Sequence, residues 1–246
     1  MVKKKEIKLI AIDMDGTLLN DQHMIPDENR QAIKEAEEKE IHVVISTGRT
    51  RMTCDELVNS LELNAHLITV NGSEIWDEKR ELVERQLLDI KHIEQMWGIT
   101  QKHQTTCWAA TVDQVIRDEF PSDISAHEWM KFGFDVKEDS VRELILAELK
   151  NNVGLEITNS SPTNLEINAA GVNKAKAIEK VCKRLGITME NVLAIGDSLN
   201  DLAMIKEAGI GVAMGNAQPF VKESADWVTS SNVEDGVAVA IRKWAL

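Results

Sequence analysis

Basic residues are in deficit in this chain of 246 residues: 28 Lys and Arg stand against 41 Asp and Glu, a formal charge of −13. A phosphate backbone requires a basic patch, so this balance argues against a nucleic-acid partner. The Lys3-Lys4-Lys5 run is short and terminal and reads as a solvated end. Long apolar runs are missing as well. None approaches the roughly 18 residues of a membrane span, and no signal-peptide core is present, so no membrane partner is expected. These absences predict a soluble, cytoplasmic protein. Cysteine is scarce: Cys54, Cys107 and Cys182 are odd in number and far apart, which suits neither a disulfide framework nor a zinc knuckle. The six histidines are scattered without metal-ligand spacing. There is no evident repeat and no low-complexity segment. What is present is a hydrophobic fraction of 43%, enough for a sizeable core, in a length that allows one large or two ordinary domains.

The chain is organised around Ile10 to Leu19. An apolar, β-branched run from Ile7 to Ile12 predicts a strand buried in a parallel sheet. It ends at Asp13, followed by Asp15, Gly16 and Thr17. Loops at the carboxyl ends of strands are where open α/β sheets bind ligands. Two carboxylates there can share a divalent cation, or divide a reaction between nucleophile and proton donor. Downstream, helical patterns at 27–40 and around Leu57 to Leu61 alternate with strands at Ile41 to Ile45 and Leu67 to Val70. This rhythm means βαβ units and a parallel, Rossmann-like sheet. A hairpin is expected at 75–83. The rhythm then falters over residues 84–164, which read as a small inserted α+β module. Within it, helices are expected near 90–97 and 141–149, and strands at 105–112 and 155–158. Ser160-Ser161-Pro162-Thr163 reads as the return linker. The rhythm resumes with a helix from Asn173, a strand at Val192 to Ile195, and further alternation to Trp244. The expected division is therefore an α/β core at 1–83 and 165–246, with an α+β insert at 84–164.

Four polar loops require one explanation: Asp13-x-Asp15, Thr47, Lys174, and Asp197 with Asn200 and Asp201. Three of them follow apolar strands directly, so a parallel sheet brings them to one edge. Lys174 begins a helix, from which its chain can reach that edge. Such a carboxylate cluster is unstable alone, because like charges raise one another's pKa. A bound Mg²⁺ offsets this. A phosphate can then be held by the metal, Lys174, Thr47 and backbone N–H groups of the Thr47-Gly48 loop. Asp13 is positioned to attack phosphorus, and Asp15 to protonate the leaving oxygen and then activate water.

Asp-Met-Asp-Gly-Thr at 13–17, Ser-Thr-Gly-Arg at 46–49, the lone Lys174, and Gly-Asp-Ser-Leu-Asn-Asp at 196–201 together resemble the four motifs of the haloacid dehalogenase superfamily, in order and spacing. The insert is similar to the cap of its Cof-like phosphatase branch. The resemblance implies an aspartyl phosphate on Asp13 and general acid/base chemistry at Asp15. It implies phosphoryl contacts from Thr47 and Lys174. It also implies Mg²⁺ bound by Asp13, Asp197 and the Asp15 backbone carbonyl, with Asn200 and Asp201 behind. Two departures stand out. Lys39-Glu40-Ile41 ends the first helix where the family usually has Gly, and Lys174 lacks the small residue that often precedes it.

For the remainder of the substrate, the candidates are Arg49, Asn71, His127 and Trp129, with Lys131 beside them and Trp97 and Trp108 also in the insert. Arg49 can contact phosphate, brace the cap or form an ion pair. Asn71 and Asn216 fit turn formation. The insert is expected to carry specificity, since selective sites need concave, partly apolar walls. The resulting expectation is a Mg²⁺-dependent phosphatase of small phosphorylated metabolites, acting as a monomer or weak homodimer. A sugar phosphomutase and a non-catalytic phosphometabolite-binding regulator are the alternatives.

Overall fold

The apolar run before Asp13 forms β1 (Leu9–Ile12), buried along its whole length. In this computed structural model, residues 6–63, 65–117 and 120–246 are described, so the Lys3-Lys4-Lys5 run lies outside them. From β1 the chain alternates through α1 (Asp27–Glu38), β2 (His42–Ser46), α2 (Arg51–Asn59) and β3 (Leu67–Thr69), then turns through the hairpin β4 (Glu74–Trp76) and β5 (Leu82–Arg85). The middle of the chain holds α3 (Ile90–His103), β6 (Thr106–Thr111), β7 (Val115–Arg117), β8 (Trp129–Asp135), α4 (Asp139–Leu149), β9 (Leu155–Thr158) and β10 (Asn164–Ala169). Alternation returns with α5 (Lys174–Leu185), β11 (Val192–Gly196), α6 (Leu202–Glu207), β12 (Ile210–Ala213), α7 (Pro219–Ser224), β13 (Trp227–Val228) and α8 (Gly236–Trp244).

The larger sheet runs β13-β12-β11-β1-β2-β3-β4-β5, parallel from β13 to β3 and antiparallel through β4 and β5. β1 lies between β11 and β2, so the chain winds outward from it in both directions. That is the switch point at which strand-end loops diverge and leave a crevice. Apolar side chains cover both faces. Ile10, Ile12, Val43 and Ile45 pack on one side with Ile33 of α1 and Ile241 of α8. Leu9, Ala11 and Val44 pack on the other with Ile178 and Val181 of α5. This two-sided burial explains why the strands are continuously hydrophobic rather than alternating.

The second sheet is antiparallel, in the order β7-β6-β8-β10-β9. One face carries Phe132, Phe134, Leu165 and Ile167 against Ile93 and Met96 of α3 and Ile145 and Leu149 of α4. The opposite face looks across to the carboxyl edge of the larger sheet. Its composition differs from the sequence expectation in two respects. The insert was expected to end at 164, yet Asn164–Ala169 is a strand of this sheet, paired with β8 and β9. Its side chains alternate, and Leu165 and Ile167 have their apolar partners on the insert helices, not in the core. Ser160 to Thr163 is therefore the turn of the β9–β10 hairpin and not a return linker. β7 was not anticipated either; it is short and pairs only with β6.

Glu40, where the family usually has Gly, adopts φ 60°. A side chain in this left-handed region costs roughly 1–2 kcal/mol, part of which Gly would return as entropy of the unfolded chain. Glu40 is exposed. Replacing Glu40 by Gly is therefore expected to stabilise the protein by about 1 kcal/mol in urea denaturation, with no effect on activity.

Candidate active site

β1 delivers Asp13 to the sheet edge, and the chain turns sharply behind it. Gly16 has φ 76°, and a Cβ there would stand 2.6 Å from Asp197 Oδ2. Glycine is thus required twice over, for the backbone angle and for the approach of the β11 loop. Asn216, expected to serve only its own turn, donates to the Gly16 carbonyl at 2.7 Å and holds this loop from the β12 side.

Lys174 opens α5 and is fully buried. Its Nζ donates to Asp13 Oδ1 at 2.5 Å and to Asp201 Oδ1 at 2.6 Å. The other oxygen of Asp201 accepts the backbone N–H groups of Asp197 at 2.9 Å and Ser198 at 3.1 Å. Asp201 is thereby committed to shaping the loop after β11. Asp197 has looser partners, the hydroxyls of Ser198 at 3.0 Å and Thr17 at 3.4 Å. Carboxylate oxygens of Asp13, Asp197 and Asp201 lie within 4.8 Å of one another.

The electrostatics follow from this crowding. Burial raises the Asp13 carboxyl well above its ordinary value, and the charge of Asp201 adds to this against the opposing pull of Lys174. Burial, reinforced by Asp201, pushes Asp197 up to about 7. Burial alone would lower Lys174, but Asp13 and Asp201 outweigh it and hold the ammonium charged. One cation among three carboxylates leaves an excess of negative charge that a divalent ion with hard oxygen ligands would neutralise. Asp13 and Asp197, which face the open cavity, fit that ion best; Asp201 does not border the cavity and already accepts three hydrogen bonds.

The Asp15 carboxylate, expected to act as acid/base while the backbone carbonyl meets the metal, has a partner of its own. Arg49 Nε and Nη2 clasp its two oxygens at 2.8 and 2.5 Å. This bidentate pair, the ion-pair alternative for Arg49, lies at the rim of the cavity, with the Asp15 side chain half exposed. Thr47 is buried, and its Oγ1 accepts the Arg49 N–H at 3.1 Å, leaving the hydroxyl hydrogen available to an oxyanion. Gly48 borders the cavity beside it.

Between the two sheets lies a cavity of about 550 Å³ with Asp13, Asp15 and Asp197 on its floor and β6, β7, β8 and β10 as its roof. The roof corrects the sequence expectation. Trp129 is buried in the insert core, its Nε1 donating to the Ile124 carbonyl at 2.9 Å. His127 packs edge-on against that ring and faces a separate shallow pocket. Trp97 stacks on Phe120. From Lys131 onward β8 alternates, so the wall residues are Lys131 and Asp135, while a register irregularity opposite Ala110 and Thr111 turns Trp129 to the other face. Trp108 of β6 lies over Gly133, where a Cβ would meet the indole at 2.1 Å. Asn71 does not reach the cavity: it is buried, with φ 59°, and its amide bridges Glu166 and Asn200. Asn200 does border the cavity. Glu166, Ser160 and Asn164 were not anticipated. The strict polar–apolar alternation of Asn164 to Ala169 was the available signal for Glu166 and Asn164; Ser160, in the preceding turn, had none.

The haloacid dehalogenase-like hydrolase family model matches residues 10–136 and 115–241. Over 98% of its length the chain is 64% identical to the 5-amino-6-(5-phospho-D-ribitylamino)uracil phosphatase YcsE of Bacillus subtilis, covering 97% of that protein. The structure superposes on a haloacid dehalogenase-like hydrolase from B. subtilis with a TM-score of 0.89, at 26% identity, over 96% of this chain and 99% of that one. It also superposes on the subclass IIB sugar phosphatase BT4131 with a TM-score of 0.84, at 25% identity, over 96% and 98% of the two chains.

The raised carboxyl of Asp197 predicts a pH-dependent stability with a definite sign. A folded-state value near 7 lies above the unfolded value, so between about pH 4 and 7 the native state holds the extra proton. Without divalent cation, this group makes stability fall as pH rises through that window. Added Mg²⁺ should raise the melting temperature more at pH 8 than at pH 5.5. In Asp197→Asn, both the slope from this group and most of the Mg²⁺ response should vanish in thermal denaturation.

Proposed function

The chain belongs to the haloacid dehalogenase-like hydrolases, and on that premise we propose that it is a Mg²⁺-dependent phosphatase whose substrate is 5-amino-6-(5-phospho-D-ribitylamino)uracil or a close analogue. That it is a phosphatase of small phosphorylated substrates follows from its relatives. The observation that carries the finer reading is the identity of 64% over nearly the whole chain with a phosphatase of that substrate. Two features of the cavity support it. Its volume of about 550 Å³ lies within the range for small-molecule sites. Trp108 lines it with an indole, an aromatic surface that a planar ring can contact.

The proposed chemistry uses the chain's own groups. Asp13, held by Lys174, attacks phosphorus with a carboxylate oxygen, and the bond from phosphorus to the substrate oxygen breaks. Asp15, once released from Arg49, gives that oxygen its proton. The same carboxylate then takes a proton from water, whose oxygen attacks the aspartyl phosphate and releases inorganic phosphate. The Thr47 hydroxyl, the Gly48 backbone N–H and the Lys174 ammonium hold the phosphoryl oxygens throughout; the Thr47 N–H is spent on the Ile68 carbonyl at 2.9 Å. Asp13 and Asp197, with the Asp15 carbonyl, are the proposed ligands of Mg²⁺, which when bound neutralises charge on both the carboxylates and the phosphoryl group. Asn200 and Asp201 support this set from behind. The proposed setting is the cytoplasm, and the proposed state a monomer or weak homodimer.

Phosphate release measured across phosphomonoesters should give the highest kcat/KM for the ribitylaminouracil phosphate. Pyridoxal phosphate or a hexose phosphate ranking above it would overturn the substrate assignment. Asp13→Asn should abolish turnover and covalent labelling in rapid-quench experiments. Asp15→Asn should still label Asp13 from an activated aryl phosphate, while turnover falls by roughly 10²–10⁴. Label on the Asp13→Asn protein would refute the nucleophile assignment.

A further inference from the structure

The roof of the cavity carries a buried ion pair that the proposed chemistry does not use. Lys131 of β8 and Glu166 of β10 lie 3.1 Å apart, with side chains only 3% and 5% exposed. Burial lowers Lys131. Burial would also raise Glu166, but Lys131 and the donors around it prevail and keep its carboxyl below the usual range. A buried pair of this kind contributes little net stability, and well-packed apolar residues often do as well. Its presence between two domains therefore calls for a different account.

The hydrogen bonds supply one. Lys131 Nζ donates to the Gly48 carbonyl at 2.6 Å, in the loop assigned to the phosphoryl group. Glu166 Oε2 accepts from Asn71 Nδ2 at 2.6 Å, and Asn71 Oδ1 accepts from Asn200 Nδ2 at 3.3 Å, in the loop that carries Asp197. Ser160 spans the same gap, donating to Glu166 Oε1 at 2.7 Å and accepting from Ser198 Oγ through its carbonyl at 3.1 Å. One ion pair on the insert is thus tied directly or through one side chain to both strand-end loops of the core. The Gly48 carbonyl shares its peptide plane with the Arg49 N–H, which donates to Thr47 Oγ1 at 3.1 Å, so the contact with Lys131 also orients the peptide that holds the Thr47 hydroxyl.

We propose that Lys131 and Glu166 are positioning residues of the phosphoryl-transfer site, so that the insert completes the machinery for phosphate as well as enclosing the rest of the substrate. This rests on the reading of Thr47–Gly48 as the phosphoryl-binding loop. It also extends the expectation that the insert carries specificity.

The test uses the full-length chain with Mg²⁺, a small aryl phosphate as substrate and inorganic phosphate as competing ligand. A small aryl ester minimises contacts with the roof, so loss on it reports on the phosphoryl site. Lys131→Met and Glu166→Gln are each expected to lower kcat by roughly ten- to a hundredfold, the scale of a misplacement near 1 Å. Inorganic phosphate should inhibit them more weakly than it inhibits the parent. The double variant Lys131→Met/Glu166→Leu separates positioning from stability: its melting temperature should return toward the parent's while kcat stays low. If single variants fold poorly, Asn71→Gly provides a second route. It removes the bridging amide while keeping the positive φ, and a similar fall in kcat is expected. Parent-like kcat and phosphate inhibition in the double variant would overturn the proposal, as would a loss confined to KM for the larger metabolite. Thr47→Ala serves as the control for the underlying reading. Unchanged phosphate affinity in that variant refutes the loop assignment, whereas impairment there without impairment in Lys131→Met refutes the inference alone.

Discussion

Everything at the sheet edge depends on a single buried ammonium. Lys174 is fully enclosed and reaches Asp13 and Asp201 at once. In a low-dielectric setting an isolated charge would be forced to neutralise. Two carboxylates prevent that, and their own repulsion is relieved by the same ammonium. The arrangement fixes Asp13 at the end of β1, α5 against the sheet, and, through Asp201, the turn after β11. No member can move without leaving another charge uncompensated. The remaining negative charge, concentrated on Asp13 and Asp197 beside the cavity, is what a divalent cation and an electrophilic phosphorus would meet. This local field also explains how a strongly acidic protein can take an anionic substrate.

The insert enters this picture as a roof whose two faces obey different rules. Its helix-facing side is an ordinary apolar core of Phe132, Phe134, Leu165 and Ile167. Its cavity-facing side holds Trp108, Lys131, Asp135 and Glu166. The period of 2 along β8 and β10 produces that separation without any loop having to contribute. Building the wall from strands gives it the rigidity of the sheet, and the glycine at 133 lets the indole lie against it. Arg49, from the core, closes the rim by holding Asp15. Asp15 therefore borders the cavity while its carboxylate is committed to an ion pair.

Much of this was legible in order of residues alone. The apolar strands that end in Asp13, Thr47 and Asp197, separated by helices, dictate a parallel sheet, and a parallel sheet places those ends together. Lys174 was legible because a lysine at the start of a helix bordering that edge has few other uses. Chain order also marked the stretch where alternation failed, and so the insert. Its end was misjudged because Asn164 to Ala169 carries no boundary mark of its own. Whether such a strand joins one sheet or another is decided by the partners that bury Leu165 and Ile167, and those partners are distant in sequence.

Tertiary structure alone decided which side chains meet the substrate space. Trp129 and Trp108 have the same chemistry, yet one is sealed under Ile124 and the other lines the cavity, because a register shift between β6 and β8 turns Trp129 away from the face that Lys131 and Asp135 share. Register likewise brings Lys131 to Gly48 and Glu166 to Asn71 across 83 and 95 residues of chain. Local sequence determines the elements, their polar ends and the charges carried there, since those depend on neighbours a few residues apart. The pairing of charges between the two sheets depends on how those sheets face each other, and no local pattern encodes that.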